Sequence, residues 1–198
     1  MSGAGEERER LRAALRELVA ERGIVGLTAA AVEARAGLDP DALRRGFGDL
    51  DACFASVWLK VDAALQSLVD EAFDRPGPWR GRIRAALAAE LDFFAADEAR
   101  ARLYVSEAVF VDDPVRSAHH AAMRRRIEML DAGRREGADP EASIAIAEAI
   151  AGATWEHLNR RIRAGRAADL PADLPELAYL AVMPYLGPDA AAAELRRR

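Results

Sequence analysis

The chain has 198 residues, 51% of them hydrophobic, and a formal net charge of −5. That length can bury a substantial core, in one domain or in a small domain fused to a larger one. The acidic balance argues against a non-specific nucleic-acid coat, and a single cysteine, Cys53, excludes an intrachain disulfide and a cysteine-based zinc site. Alanine dominates and strand-forming runs are absent, so the fold class is all-α. The first residues lack the basic and apolar regions of a signal peptide, and no uninterrupted apolar stretch reaches bilayer length. A cytoplasmic protein with no membrane partner is expected.

A first amphipathic helix is expected over residues 6–22, with Leu11, Ala14, Leu15 and Leu18 on one face and Gly23 as its stop. Thr28 can cap a second helix whose inward residues are Val32 and Ala36, four apart. Gly37 stands where the chain must leave that helix. Asp39 can cap and Pro40 can open a third helix, with Leu43 and Phe47 inward and Asp41, Ala42, Arg44 and Arg45 outward. Two short helices joined by a tight Gly-containing turn read as a helix-turn-helix.

A fourth helix over residues 51–73 carries Phe54, Trp58, Val61, Leu65 and Leu68, and is broken by Asp74, Arg75, Pro76, Gly77 and Pro78. A fifth over 79–96 carries Ile83, Leu87, Leu91 and Phe94, and a sixth over 98–111 carries Leu103, Tyr104, Val109 and Phe110. Asp112, Asp113 and Pro114 open a seventh helix ending near Gly137, and Asp139 with Pro140 opens an eighth to about residue 164. The eighth bears Ile144, Ile150, Trp155, Leu158 and Ile162; a ninth over 174–186 bears Leu177, Tyr179, Leu180, Val182 and Met183. The last three arginines are expected to fray. With no linker in between, the fourth helix ties a head, residues 1–48, to a body, residues 49–198.

The ordered set Ala14, Leu18, Gly23, Thr28, Val32, Ala36, Gly37, Leu38, Leu43 and Phe47 resembles the N-terminal signature of TetR-like (tetracycline-repressor-type) transcriptional regulators, over about the first 55 residues. Beyond that the likeness is one of architecture. The resemblance implies a three-helix DNA-binding head and a helical ligand-binding and dimerisation body. It implies a ligand-responsive regulator, most often a repressor that binds a palindromic operator on double-stranded DNA as a homodimer and is released by a small molecule. No cofactor, catalytic residue or metal follows from it.

Carried over by position, the DNA contacts would fall to Thr28, Asp41, Ala42, Arg44 and Arg45, with the two arginines best suited to bases and phosphates. Thr28 equally fits a simple helix cap, and Asp41 a first-turn acid favouring the helix dipole. The largely apolar effector pocket would be walled by Trp58, Phe93, Phe94, Tyr104, Phe110, Met123 and Ile127, with Glu107, His119 and His120 for polar orientation. The same aromatics and methionine fit an ordinary core. The dimer would form through Ile150, Trp155, Leu158, Ile162, Leu177, Leu180 and Met183.

The chain departs from the family pattern. An aromatic is usual where Arg44 stands, a tyrosine or histidine at Gly46, and a phosphate-contacting lysine at Leu50. Eight arginines oppose nine carboxylates in residues 1–50, so any positive surface must come from arrangement. A helical ligand- or partner-binding protein with a weakened head is the alternative. An enzyme is not indicated: Glu-x-x-His pairs, HExxH and phosphate-cradling Gly loops are absent.

Overall fold

The computed structural model of the protein describes residues 3–106, 114–137 and 142–197. Among the described residues all regular structure is helical: α1 (Gly3–Arg22), α2 (Ala29–Ala36), α3 (Ala42–Phe47), α4 (Leu50–Phe73), α5 (Trp79–Ala95), α6 (Glu98–Ala101), α7 (Val115–Asp131), α8 (Ala145–Arg163) and α9 (Leu174–Leu195). A π-helical segment, Arg102–Ser106, follows α6, and 3-10 turns follow α7 and α8 at Ala132–Arg135 and Ala167–Asp173.

Two compact units emerge: Met1–Ala63 with Glu98–His119, and Ala64–Asp97 with His120–Arg198. α6 and the π segment contact α1, so this stretch clusters with the head although 34 residues of the second unit precede it (64–97). α4 contributes its first half to one unit and its second half to the other.

In the first unit, α1 buries Leu11, Ala14, Leu15, Leu18 and Val19 along one stripe, the spacing that lets a helix cover a core. Gly23 ends it with φ 76°, its N–H donating to Val19 O at 2.8 Å. α2 and α3 pack on α1 and on each other. α4 starts on an Asp49 cap, whose Oδ1 accepts the Ala52 N–H at 2.7 Å. It buries Phe54, Val57 and Trp58. Trp58 stacks on Tyr104 from the π segment, with ring centroids 4.7 Å apart, and donates from Nε1 to Tyr104 O. Tyr104 in turn donates its hydroxyl to Asp62 at 2.7 Å.

In the second unit, α5 buries Ile83, Leu87, Leu91 and Phe94 and packs on α9. Trp79 anchors it: Nε1 donates to Met129 O at 2.8 Å, and its ring meets Tyr185 edge-on. Gly133 lets that indole approach, since a Cβ there would lie 2.6 Å from the ring. α8 and α9 pack together, joined by the 3-10 turn. At that junction Asp173 accepts hydrogen bonds from Arg161 and from His157, the latter at 2.8 Å.

Several sequence expectations need correction. Leu68 is exposed, although its spacing puts it on the same stripe of α4 as Val61 and Leu65. The sixth helix is one α turn followed by a π segment; Val109, Phe110, Glu107, Asp112 and Asp113 lie outside the described residues. α8 starts at Ala145 rather than beside Pro140, which with Asp139 also lies outside them, and Ile144 is exposed at its N-cap. The ninth helix bends at Gly187 (φ 80°, ψ 176°) and resumes to Leu195. Beyond its end Arg196 and Arg197 are exposed, Arg197 and Arg84 pairing with buried Glu194, which Arg80 also meets, and Arg84 donating to Arg197 O at 2.8 Å; Arg198 lies outside the described residues. By length and composition alone α4 could cross a membrane. It carries Lys60 and Asp62 mid-length, however, and buries Phe54, Trp58, Val61 and Leu65 in the protein's own core.

Candidate nucleic-acid interface and ligand cavity

The corner between α2 and α3 is built from local chemistry. Thr28 Oγ1 accepts the Ala31 N–H at 3.2 Å and starts α2. At the far end Gly37 adopts φ 62°, the left-handed conformation that closes a Schellman cap. Leu38 N–H donates to Glu33 O and Gly37 N–H to Ala34 O. Arg10 reaches over from α1 and donates to the remaining carbonyls, Ala36 O at 2.6 Å and Gly37 O at 2.9 Å. A cation at a helix C-terminus also offsets the negative end of its dipole.

The start of α3 differs from the expected Asp39 cap. Asp41 takes φ 69°, the sole positive φ outside glycine among the described residues, and interrupts the helix after Pro40. The free N–H of Leu43 donates instead to Glu33 Oε1 at 2.9 Å. Glu33, 7% exposed, thus crosses from α2 to satisfy α3. Sequence reading missed this residue, because Glu33 adjoins Val32 and so lies off the inward stripe of Val32 and Ala36.

α3 is thereby set with Ala42 and Leu43 buried and Arg44 and Arg45 outward. Arg44's side chain is 70% exposed and its Nε lies 3.3 Å from Asp41 Oδ1. Such a solvated pair is worth about 0–1 kcal/mol, so a phosphate can replace the carboxylate. Arg45 donates to Pro40 O at 3.3 Å. Several other head cations are already engaged. Arg35 pairs with Glu21 and Glu17 at 2.8 and 3.2 Å, Lys60 with Glu9 at 2.6 Å, and Arg8 and Arg12 lie over the Phe47 ring. At Gly46 a Cβ would already lie 3.4 Å from Arg8 and 3.5 Å from Leu11.

A cavity of about 20 Å³, room for roughly one water, lies within the second unit. Its apolar wall includes Val69, Ile83, Leu87, Met129, Ile150 and Ala181, from α4, α5, α7, α8 and α9. Glu90, Arg125, Arg126 and Thr154 supply its polar groups, and Arg126 is hydrogen-bonded to Glu90.

No protein-family model matches the sequence, and no curated protein is detectably similar to it. Solved structures do match over nearly the whole chain. The fatty acid degradation regulator FadR from Bacillus halodurans aligns with a TM-score of 0.77 at 14% identity, over 92% of this chain and 96% of its own. A tetR-family regulatory protein from Rhodococcus RHA1 aligns at 0.75 and 17% identity, over 96% and 100%. FadR from Bacillus subtilis, solved in complex with stearoyl-CoA, aligns at 0.72 and 16% identity, over 88% and 97%.

The chain has the fold of TetR-family regulators.

Within this TetR-type fold the anticipated site residues fall unevenly. Thr28, Asp41, Arg44 and Arg45 lie exposed on the corner, whereas Ala42 is 2% exposed and cannot touch DNA without unpacking α3. None of Trp58, Phe93, Phe94, Tyr104, His119, Met123 and Ile127 lines the cavity; Glu107 and Phe110 lie outside the described residues. Trp58 and Tyr104 are consumed by their mutual stack, with His119 against the Trp58 edge, and Phe93 packs on Phe94. Of the anticipated dimer residues, Ile150, Leu158, Ile162 and Leu177 are buried within the chain itself, Ile150 in the cavity wall. Their apolar character is explained by α8 packing on α9. Leu180 and Met183 are exposed, and Trp155 is half-buried.

Proposed function

We propose that the protein is a ligand-responsive DNA-binding transcriptional regulator, acting as a homodimeric repressor that a small molecule releases from a palindromic operator. One observation carries the reading: α3 buries Ala42 and Leu43 while presenting Arg44 and Arg45 to solvent, the disposition a recognition helix needs. The Thr28 hydroxyl supports it, since it accepts the Ala31 N–H and retains a donor for a phosphate. A second copy docks on the exposed Leu180 and Met183, so that each head meets one half-site. The cavity has room for roughly one water, so an effector entering it must part its helices. Since α4 supplies Val69 to that cavity and Phe54 and Trp58 to the head unit, its displacement would alter DNA affinity.

The test is fluorescence anisotropy with DNA from upstream of the protein's own gene, against random DNA. Saturable, palindrome-dependent binding that weakens steeply with salt is expected. No preference over random DNA at low salt would overturn the reading. The engagement of Arg35 and Arg44 by head carboxylates favours a second one, a ligand- or partner-binding protein with a weakened head, and that same result would leave it standing.

A further inference from the structure

Asp41 is an unexpected residue on a surface read as meeting DNA. Its side chain is 63% exposed, and a carboxylate there repels phosphate. It makes no capping hydrogen bond to α3, whose Leu43 N–H goes to Glu33 instead. Its backbone sits at φ 69°, a left-handed conformation that aspartate adopts more readily than most residues. Among the described residues its carboxylate holds Arg44, three positions on, whose Nε donates to Oδ1 at 3.3 Å. Neither Nη group of Arg44 is held by another described residue. Arg45 is engaged differently: it donates from Nη1 to Pro40 O, and no described carboxylate pairs with it.

Resting on the reading of α3 as the DNA-reading helix, we propose a division of labour: Arg44 reads a guanine in each half-site, Asp41 is the positioning residue that aims it, and Arg45 binds phosphate without regard to sequence. Nε lies at the side of the guanidinium, so a carboxylate held there leaves Nη1 and Nη2 as an open fork. Guanine alone presents two acceptors, O6 and N7, side by side in the major groove, and a fork matches them. A phosphate that displaced Asp41 from Arg44 would stay within a few ångströms of its negative charge; a neutral base meets no such repulsion. In water the Asp41–Arg44 pair is weak, but a groove wall that excludes solvent strengthens it. Asp41 therefore has two effects. It lowers affinity for any sequence by repelling the backbone, and it raises the contrast between sequences by fixing the fork.

The experiment selects duplexes bound by the full chain from a library with a randomised centre, then titrates the enriched duplex and its single-base variants by anisotropy at fixed salt. One guanine per half-site is expected whose replacement weakens binding roughly five- to a hundredfold, the range for a bidentate arginine contact. Arg44→Ala should remove the preference at that position. Asp41→Gly keeps the positive φ without strain; it should bind random DNA more tightly than the parent, yet discriminate severalfold less at that guanine. Asp41→Asn, which can still accept from Nε, should recover part of the discrimination. Arg45→Ala should weaken all sequences alike and lower the salt slope by about one. The readout is a ratio of affinities, so a variant that only folded less well would move both sequences together. An enriched site without such a guanine, a guanine preference that survives Arg44→Ala, or undiminished discrimination in Asp41→Gly would each overturn the proposal and leave sequence-specific binding standing. No enriched sequence at all would sink the DNA-binding reading with it, so the two failures are distinguishable.

Discussion

Glu33 illustrates how one side chain can hold a functional element in place. Its carboxylate meets the Leu43 N–H from a buried position, so Glu33→Ala leaves a donor of the short α3 without a partner. The expected loss is about 1–3 kcal/mol in urea unfolding, while Asp39→Ala should stay within about 0.5 kcal/mol of the parent. Equal effects would mean that Asp39 caps the helix after all. Cys53 offers a second test at this scale. It is fully buried, and that burial pushes its thiol up to about 11, with Arg12 and Arg8 opposing only in part. Native protein at pH 7.5 should therefore resist iodoacetamide and react only when unfolded.

At the scale of elements, the corner and the α8–α9 junction depend on opposite kinds of contact. The corner presents solvated arginines, so Arg44→Ala or Arg45→Ala should leave the fold intact. Each is expected to weaken specific operator binding by about 1–3 kcal/mol per lost good contact. Unchanged anisotropy titrations in both variants would show that α3 is not the reading surface. At the junction, burial alone would raise the Asp173 carboxyl, but hydrogen bonds from Arg161 and His157 outweigh it and hold it below the usual aspartate range. A depressed folded value means the contribution is present above about pH 4 and is lost as pH falls further. Asp173→Asn should cost about 1.5–3 kcal/mol near neutrality. The two stability curves should converge in acid.

At the scale of the whole molecule, the apolar residues of α8 and α9 divide into those the chain needs for itself and those it leaves outward. Leu158→Ala should cost about 2–5 kcal/mol of stability, because the side chain is fully buried. Leu180→Glu with Met183→Glu should keep helical circular dichroism yet shift sedimentation equilibrium toward monomer, since both side chains face solvent in the single chain. A dimer that persists in the double variant would place the interface elsewhere.

Helix positions were largely legible from the residues, because periodicity of Leu11, Leu15 and Leu18 or of Ile83, Leu87 and Leu91 reflects a local geometry that needs no partner. The stop at Gly23 and the left-handed exit at Gly37 were legible for the same reason. Which apolar residue meets which was not. Trp58 and Tyr104 are 46 positions apart, and nothing in their spacing says that they stack on each other rather than wall a pocket. Likewise Glu90 and Arg126 look like solvated charges on two unrelated helices until α5 and α7 bring them together in an apolar wall. Short-range chemistry along the chain determined the helices and their caps. Long-range packing alone decided the cavity, the buried ion pair and the division of α8 and α9 into inner and outer faces, because burial is a property of neighbours distant in sequence.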